Sequence, residues 1–453
     1  MVYYLKPSAT FTVKQIQLHF MIKKILLILF LVSPAFAKSQ SLYFPPLIGT
    51  NWDTVSPASL GWCANYLDTL DNLLLQRNTK AIIILKDGKI AHETCFGTFT
   101  VDSNWYWASA GKTLTAFNIG QAQEQNYLSI NDSTSHYLDS GWTSAPANKE
   151  GSITIRNQLT MTSGLDDGVS NESCTLPSCL QYLADAGTRW AYHNAPYTLL
   201  QDVLDSATGN FTNFFNTQLR NRIGMNGLWF TNNVYNHVYY SKPRSMARFG
   251  LLMLNRGVWN TDTLMHDSTY YHNMINTSQN LNLSYGYLWW LNGKSTFMLP
   301  GSQFTFNGSI IPNAPTDMYC ALGKNDQKIH IVPSQNLVVI RMGNSADTTS
   351  LVPTLLDNEM WDVLNKVFCN STSVEEKINV DAFTIYPNPF ENEFYVSGLK
   401  FDDGDVLKVY DVFGREILSQ GTTTSNSKIQ TSKWQSGIYF VKVGDVVKKV
   451  LRE

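Results

Sequence analysis

A serine and a lysine three residues apart are the strongest chemical signal in this 453-residue sequence. They belong to Ser109-Ala-Gly-Lys112, and residues three apart in a helix lie on one face, so an amine would stand beside a hydroxyl. Serine becomes a strong nucleophile when a neighbour takes its proton, and lysine can do so when burial keeps its amine neutral. The pair therefore predicts a nucleophilic serine with an amine base.

Tyr192-His-Asn194 is a second candidate element. It lies in an irregular segment just before an amphipathic helix that starts near Tyr197, and catalytic side chains concentrate in loops. The phenol can move protons, and the amide can hold a substrate carbonyl. Each motif is weak alone, because Ser425-Asn-Ser-Lys428 and Tyr271-His-Asn273 fit the same patterns. The setting favours Ser109 and Tyr192.

The elements around these motifs mix two periodicities. Strands are predicted at Ala81–Leu85 and in a late hairpin of Gln327–Pro333 with Asn336–Met342, while 109–126 and 244–257 read as helices. Strands at both ends with helices between them predict one α+β domain over 41–369, whose terminal strands share a sheet.

The C-terminal part has a different pattern. A polar segment, 370–380, predicts a linker, and short apolar–polar alternations follow it between Gly and Asp turns. Residues 381–453 are therefore predicted to form a small β-sandwich.

The N-terminal part predicts export. Lys23 and Lys24 precede the apolar run Ile25–Val32 and a small-residue cleavage site, Ala35-Phe-Ala37. Residues 1–37 are therefore predicted to be a signal peptide, and translation is predicted to begin at Met21. The apolar run is shorter than the ~20 residues of a membrane helix, and no stable membrane span is predicted.

Composition excludes several classes of protein. Lys and Arg number 34 against 36 Asp and Glu, without a basic run, which argues against nucleic acid as a partner. Neither C-x-x-C nor H-E-x-x-H occurs, so no metal and no cofactor is expected.

Export makes the cysteines candidates for disulfides. Cys174 and Cys179 are close in sequence, with Pro177 to turn the chain between them, and this pairing is favoured. The pairing of the other cysteines stays open: Cys63, Cys95, Cys320 and Cys369.

Three motifs occur in order near the C-terminus, followed by a basic end: Ile385-Tyr-Pro-Asn-Pro389, Val409-Tyr-Asp-Val-Phe-Gly-Arg415, Ser436-Gly-Ile-Tyr-Phe-Val-Lys442 and Lys448-Lys-Val-Leu-Arg452. Residues 381–453 thus resemble the C-terminal sorting domain of the type IX secretion system. The resemblance implies that this machinery is a partner and that the protein crosses the outer membrane to the cell surface or the medium. A carbohydrate-binding or spacer module is the alternative.

Further segments accompany the two candidate motifs in a fixed order: Lys86-Asp-Gly-Lys89, Ile153–Leu165, Arg244–Leu254 and Tyr285-Gly-Tyr-Leu-Trp-Trp290. With them, residues from about 45 to 350 resemble a serine β-lactamase-like hydrolase of the class C β-lactamase and penicillin-binding-protein superfamily. That resemblance implies an antiparallel sheet with helices on its faces and a helical subdomain. It also implies Ser109 as the acylated nucleophile, Lys112 as base or proton relay, Tyr192 as second base and Asn194 as a substrate-positioning amide.

The family's third motif is Lys or His, a small residue and Gly on a strand lining the site. Its best counterpart here is Ala321-Leu-Gly323, which lacks the cation. This departure argues against recognition of a substrate carboxylate. By analogy, the backbone N–H groups of Ser109 and Lys324 form the oxyanion hole.

The sequence therefore predicts an exported serine hydrolase that cleaves a small ester, amide or peptide through an acyl-enzyme on Ser109. Its predicted route is the periplasm and then type IX export. A true β-lactamase or D,D-peptidase is one alternative, and a catalytically inactive surface binding protein is another. An α/β-hydrolase is excluded because G-x-S-x-G is absent from the sequence.

Overall fold

The computed structural model describes Met1 and residues 42–232, 236–346, 354–369, 383–398, 406–411, 414–421, 426–444 and 446–453. The predicted signal peptide and the predicted linker at 370–380 fall outside these residues, apart from Met1.

Helices in the described residues are mostly short. The α-helices are α1 Leu67–Gln76, α2 Lys112–Glu124, α3 Ser135–Leu138, α4 Ala147–Glu150, α5 Ile155–Leu159, α6 Asn194–Thr198, α7 Leu200–Thr208, α8 Phe211–Phe215, α9 Pro243–Leu254, α10 Ser268–Met274 and α11 Leu355–Val367. The 3₁₀ turns are Pro57–Leu60, Ala64–Tyr66, Ala108–Gly111, Pro177–Cys179 and Pro333–Gln335, and Asn216–Arg220 is a π-helix.

Strands occur near both ends of the main domain and form all the elements described after α11. They are β1 Thr79–Lys86, β2 Lys89–Cys95, β3 Trp105–Tyr106, β4 Leu228–Asn232, β5 Asn236–Ser241, β6 Val258–Trp259, β7 Asp262–Thr263, β8 Trp290–Leu291, β9 Thr296–Phe297, β10 Phe306–Asn307, β11 Tyr319–Gly323, β12 Gln327–Val332, β13 Leu337–Gly343, β14 Thr384–Tyr386, β15 Glu393–Ser397, β16 Val406–Asp411, β17 Glu416–Gly421, β18 Asn426–Gln430, β19 Gly437–Val443 and β20 Val446–Arg452.

One antiparallel sheet organises the main domain. Among the described residues its strand order is β2-β1-β13-β12-β11-β8, and Ile83 of β1 lies opposite Ile340 of β13. Early and late strands are therefore neighbours, which confirms the predicted α+β class. The predicted helix at 109–126 differs at its start, because Ala108–Gly111 is a 3₁₀ turn and the α-helix begins at Lys112.

Helices cover both faces of this sheet. Helix α9 packs closely on one face, because a Cβ at Gly250 would lie only 2.6 Å from Val338. On the opposite face Asp357 of α11 accepts hydrogen bonds of 2.6 Å from both Lys328 and His330, and all three side chains are buried. Helix α1 precedes β1, and the other remaining helices lie between β2 and β8 in the chain and form the helical part of the α+β fold.

Two disulfides stabilise the described residues. Cys174–Cys179 closes a short loop, and Cys63–Cys369 joins the segment before α1 to the end of α11. Cys95 and Cys320 are free thiols.

The C-terminal segment forms a small β-sandwich, as predicted. Its sheets have the orders β14-β15-β18 and β17-β16-β19-β20. Phe394 and Val396 from one sheet pack with Leu407, Val409 and Val441 from the other, and this apolar cluster is separate from that of the main domain.

An aromatic contact joins the sandwich to the main domain. Side chains alternate along β19, so Phe440 faces away from the sandwich core, yet it is only 7% exposed. Its ring lies 6.1 Å from Phe304 and 5.3 Å from Phe306, and Tyr410 lies 5.4 Å from Phe304.

No helix in the described part of the chain is long and apolar enough to cross a membrane.

Candidate active site

Ser109 lies in the 3₁₀ turn between β3 and α2. The turn is held in place by Trp107, whose N–H donates to Tyr239 O at 2.8 Å and whose indole donates to Ser241 at 2.8 Å. Ala108 has φ +46°, a left-handed conformation that is costly for a residue with a Cβ and is often found at functional sites. The backbone thus presents Ser109 at a sharp, well-anchored corner.

Strand β11 passes directly against this corner. A Cβ at Gly323 would lie 2.4 Å from Trp107 O and 2.9 Å from Ala110 N, so only glycine permits the approach. Because side chains alternate along a strand, Ala321 lies on the same face of β11 as Gly323. Position 321, the predicted counterpart of the family's cation, therefore faces the Ser109 side of the sheet and carries only a methyl group.

Lys112, at the start of α2, is 3% exposed. Its amine donates to Tyr192 Oη at 3.1 Å and to the carbonyl of Ser109 at 3.2 Å, and it lies 5.0 Å from the Tyr192 ring centre. Burial lowers the pKa of Lys112 from 10.5 to about 7. A substantial neutral fraction is then present at physiological pH, which is what a base requires.

Two tyrosines complete the network around the nucleophile. The Ser109 hydroxyl lies 3.3 Å from Tyr197 Oη, within hydrogen-bond reach. Burial raises the pKa of Tyr192 well above 10 and that of Tyr197 to about 12, and Ser109 lies close enough to both phenols to lower these values in part. Trp290 stacks on Tyr192 at 6.0 Å and fixes its ring. Both phenols stay protonated at neutral pH and can pass protons between Ser109 and Lys112.

Asn194, the first residue of α6, is hydrogen-bonded to the two residues that precede the loop closed by Cys174–Cys179. Its Nδ2 donates to Glu172 Oε1 at 2.9 Å and to Ser173 Oγ at 3.3 Å. Its Oδ1 is buried and has no hydrogen-bond partner among the described residues. The available group of Asn194 is therefore an acceptor, whereas the sequence suggested an amide that holds a substrate carbonyl.

Glu172 and Lys324 lie near one another at the rim. Burial and the charge of Asp167 raise the pKa of Glu172, and the charge of Lys324 lowers it. Glu172 also contributes to the raised pKa values of Tyr192 and Tyr197. Lys324 is exposed, and Glu172 is exposed as a whole residue while its carboxyl group is partly shielded from solvent.

The structure thus brings Ser109, Lys112, Tyr192 and Gly323 together, with Asn194 and Lys324 at the edge of the same region. Sequence reasoning missed Tyr197 and Glu172. The sequence identifies Tyr197 only as the start of a helix. Its position five residues after Tyr192 is a weak signal that it could lie near the same site. Glu172 carries no local signal, because its contact with Asn194 spans 22 residues of sequence.

His193 lies between the two motif residues and takes no part in the network. It is 1% exposed, and neither ring nitrogen has a partner among the described residues. Burial lowers its pKa to about 4, so the ring is neutral at physiological pH. In the described part of the chain, no cluster of three or more metal-binding side chains occurs.

Structural comparison shows the fold. A chain named "Putative 6-aminohexanoate-dimer hydrolase from Bacillus anthracis" matches with TM-score 0.54 and 18% identity, covering 72% of this chain and 89% of its own. A second, named "putative beta-lactamase from Bacteroides dorei DSM 17855", matches with TM-score 0.54 and 16% identity, covering 68% and 99% respectively. At these identities the similarity concerns the fold alone.

Family models match both parts of the sequence. The secretion system C-terminal sorting domain matches residues 384–452, and comparison with curated proteins finds no significant relative. The Beta-lactamase model matches residues 71–358, more than half of the chain and all of the network around Ser109. This chain therefore belongs to the Beta-lactamase family and ends in a type IX sorting domain.

Proposed function

We propose that the protein is an exported serine hydrolase that cleaves an ester or amide through an acyl-enzyme on Ser109. The observation that carries the proposal is the buried amine of Lys112, with a pKa of about 7, which donates hydrogen bonds to the Tyr192 phenol and to the Ser109 carbonyl, beside the Ser109 hydroxyl. A structural lysine would gain nothing from such burial without a carboxylate partner.

Acylation begins when Ser109 Oγ attacks the substrate carbonyl carbon. The hydroxyl proton moves to the Tyr192 phenol, whose own proton moves to neutral Lys112, 3.1 Å away. Collapse of the tetrahedral intermediate breaks the bond to the leaving group, which takes the proton back through the same relay. Water then attacks the acyl-enzyme, gives up its proton along the relay, and releases the acid and free Ser109.

The developing oxyanion needs fixed donors. We assign this role to the N–H groups of Ser109 and Lys324, because the close packing of Gly323 against Ala110 brings the end of β11 to the nucleophile turn. Substitution of Gly323 by alanine would push these elements apart.

The substrate class follows from the missing cation. Ala321 is fully buried on the nucleophile side of β11 and supplies no charge for a substrate carboxylate. We therefore favour neutral or cationic esters and amides over anionic β-lactams. Efficient nitrocefin hydrolysis by the wild type would instead support the β-lactamase alternative.

Fluorophosphonate labelling of the full-length protein tests the proposal. Wild type should be labelled on Ser109, as located by mass spectrometry, and should hydrolyse a neutral p-nitrophenyl ester. Ser109→Ala should abolish both, and Lys112→Ala should be nearly as damaging, with a non-additive double variant. Ser425→Ala, in the second S-x-x-K sequence, is the matched control and should change neither. A label on another residue would refute the assignment, and absence of labelling and turnover would favour an inactive binding protein.

We also propose that the C-terminal sandwich directs the protein through the type IX machinery to the cell surface or the medium, after a signal peptide takes it to the periplasm. The sandwich has its own apolar core and contacts the main domain through the Phe440 cluster. Deletion of 381–453 should leave the specific activity intact and retain the enzyme in the periplasm. Normal levels of the truncated protein in the medium would contradict this role.

A further inference from the structure

The segment just before the loop closed by Cys174–Cys179 brings the carboxylate of Glu172 to the candidate site. Asn171 O accepts a hydrogen bond from Cys174 N, and Glu172 O accepts one of 2.9 Å from Ala195 N, in the first turn of α6. The same short helix carries Tyr197, which contacts the Ser109 hydroxyl. The backbone of Glu172 is therefore fixed to the helix that presents one of the phenols.

The side chain of Glu172 determines which way the Asn194 amide points. An ionised carboxylate only accepts hydrogen bonds, so the Asn194 atom 2.9 Å from Glu172 must be the donating Nδ2. The amide oxygen then faces the other way, where it is buried without a partner among the described residues. A buried acceptor left unpaired is unfavourable, and a bound N–H donor would remove that cost.

The carboxylate also keeps acceptor capacity of its own. Among the described residues, Asn194 is the only side chain that donates to Glu172, and Glu172 forms no ion pair within 4.0 Å. Its charge acts on both Tyr192 and Tyr197, so it lies within electrostatic reach of the reacting groups. An anion and an unpaired carbonyl oxygen thus lie side by side next to the catalytic phenols.

We propose that Glu172 and Asn194 form a subsite for a primary ammonium group on the acyl portion of the substrate. This inference rests on the proposed hydrolase function and defines its substrate class. The ammonium group donates hydrogen bonds to the Glu172 carboxylate and to Asn194 Oδ1. The subsite does not bind a substrate carbonyl, because the Asn194 amide nitrogen already donates to Glu172 and Ser173. It also disfavours a substrate carboxylate, which the charge of Glu172 repels.

Two matched series of p-nitrophenyl esters test the subsite with the full-length enzyme. In one series the acyl chain ends in an ammonium group, and the chains increase in length. In the other series a methyl group replaces the ammonium at each length. Because a charge-assisted hydrogen bond contributes about 1.5–3 kcal/mol, the best amino substrate should exceed its methyl analogue by about 10- to 100-fold in kcat/KM. Spontaneous hydrolysis is subtracted with Ser109→Ala.

Glu172→Gln should remove most of this preference, measured as the ratio of kcat/KM between the amino and methyl series. Asp362→Asn, on the exposed surface of α11, is the matched control and should preserve the preference. A purely structural role for Glu172 would lower both series equally and leave their ratio unchanged, which would refute the subsite. Asn194→Ala provides a second test, because it removes the acceptor without removing the charge, and it should reduce the preference partially.

The outcomes separate this inference from the hydrolase proposal. If wild type is labelled on Ser109 and hydrolyses the methyl series without preferring any amino ester, the subsite is refuted and the hydrolase stands. If neither series is hydrolysed and Ser109 is not labelled, both proposals fail. An amino preference that survives in Glu172→Gln would also refute the subsite.

Discussion

The pH dependence of acylation is the most direct test of Lys112 as the base. Burial places the pKa of this amine at about 7, so half of the molecules carry a neutral base at pH 7. With the ordinary pKa of 10.5, only about 0.03% would do so, and burial thus enriches the neutral form by roughly 1,000-fold. The rate of acylation should therefore rise tenfold per pH unit below 7 and level off above it.

Fluorophosphonate labelling measures this profile without a titrating substrate. From pH 5 to pH 9 the labelling rate of wild type should increase about 100-fold and reach its plateau near pH 8. His193, with a pKa of about 4, titrates below this range, and the phenols of Tyr192 and Tyr197 titrate above it. A flat profile, or a rate that keeps rising tenfold per unit beyond pH 9, would refute the assignment of the base.

The same pKa predicts a change in stability. Between pH 7 and 10.5 the unfolded chain holds a proton on Lys112 that the folded protein has released, so the free energy of unfolding rises with pH in this window. From pH 7.5 to 9.5 this one group contributes an increase of about 2–3 kcal/mol. Urea unfolding of wild type and Lys112→Met should show that difference between their pH slopes, and equal slopes would contradict it.

Three further predictions follow from individual contacts. Tyr192→Phe should lower kcat on a neutral ester by about 10²–10⁴-fold, and Tyr197→Phe by less, because the amine donates to Tyr192; equal losses would show that both phenols lie on the proton path. Ala321→Lys should raise kcat/KM for nitrocefin by about 10-fold or more relative to a neutral ester, and no change would show that the missing cation does not set the substrate class. The paired change Cys63→Ser and Cys369→Ser should lower the free energy of unfolding by up to about 5 kcal/mol in calorimetry or urea titration, since this bridge closes a loop with a sequence separation of 306; an unchanged stability would contradict it.

Local chemistry made part of the site predictable. The spacing of Ser109 and Lys112 places them on one turn whatever the rest of the chain does, so the pair could be proposed before any fold was known. The alternation in β12 and β13 likewise predicted strands whose bounds the structure changes by little. Such features depend on residues a few positions apart.

Other features depend on tertiary packing. Cys63 precedes α1 and Cys369 follows α11, and the two cysteines meet because these helices pack against each other. From the sequence alone, six cysteines allowed fifteen pairings. The contact between Ser109 and Tyr197 spans 88 residues of sequence. No periodicity or spacing encodes either contact, so sequence reasoning had no means to choose them.

The Asn194 amide shows why a motif alone does not fix the polarity of a hydrogen bond. The motif identifies an amide at this position, but an amide offers both a donor and an acceptor, and only its neighbours decide which one is free. Glu172 takes the donor, and the free group is the carbonyl oxygen. Hydrogen-bond polarity at the site is therefore set by a loop residue outside every motif.

Two features of the candidate site act in the same direction. Ala321 removes a positive charge from the nucleophile side of β11, and Glu172 adds a negative charge near the phenols, so each disfavours an anionic substrate. If the new lysine and Glu172 act on one bound carboxylate, the gain from Ala321→Lys on an anionic β-lactam should be larger in Glu172→Gln than in the wild-type background. The physical reason is that an intact Glu172 carboxylate would then compete with the substrate for the new ammonium group. A double-mutant cycle on nitrocefin measures this coupling, and strictly additive effects would mean that the two positions act on different parts of the substrate.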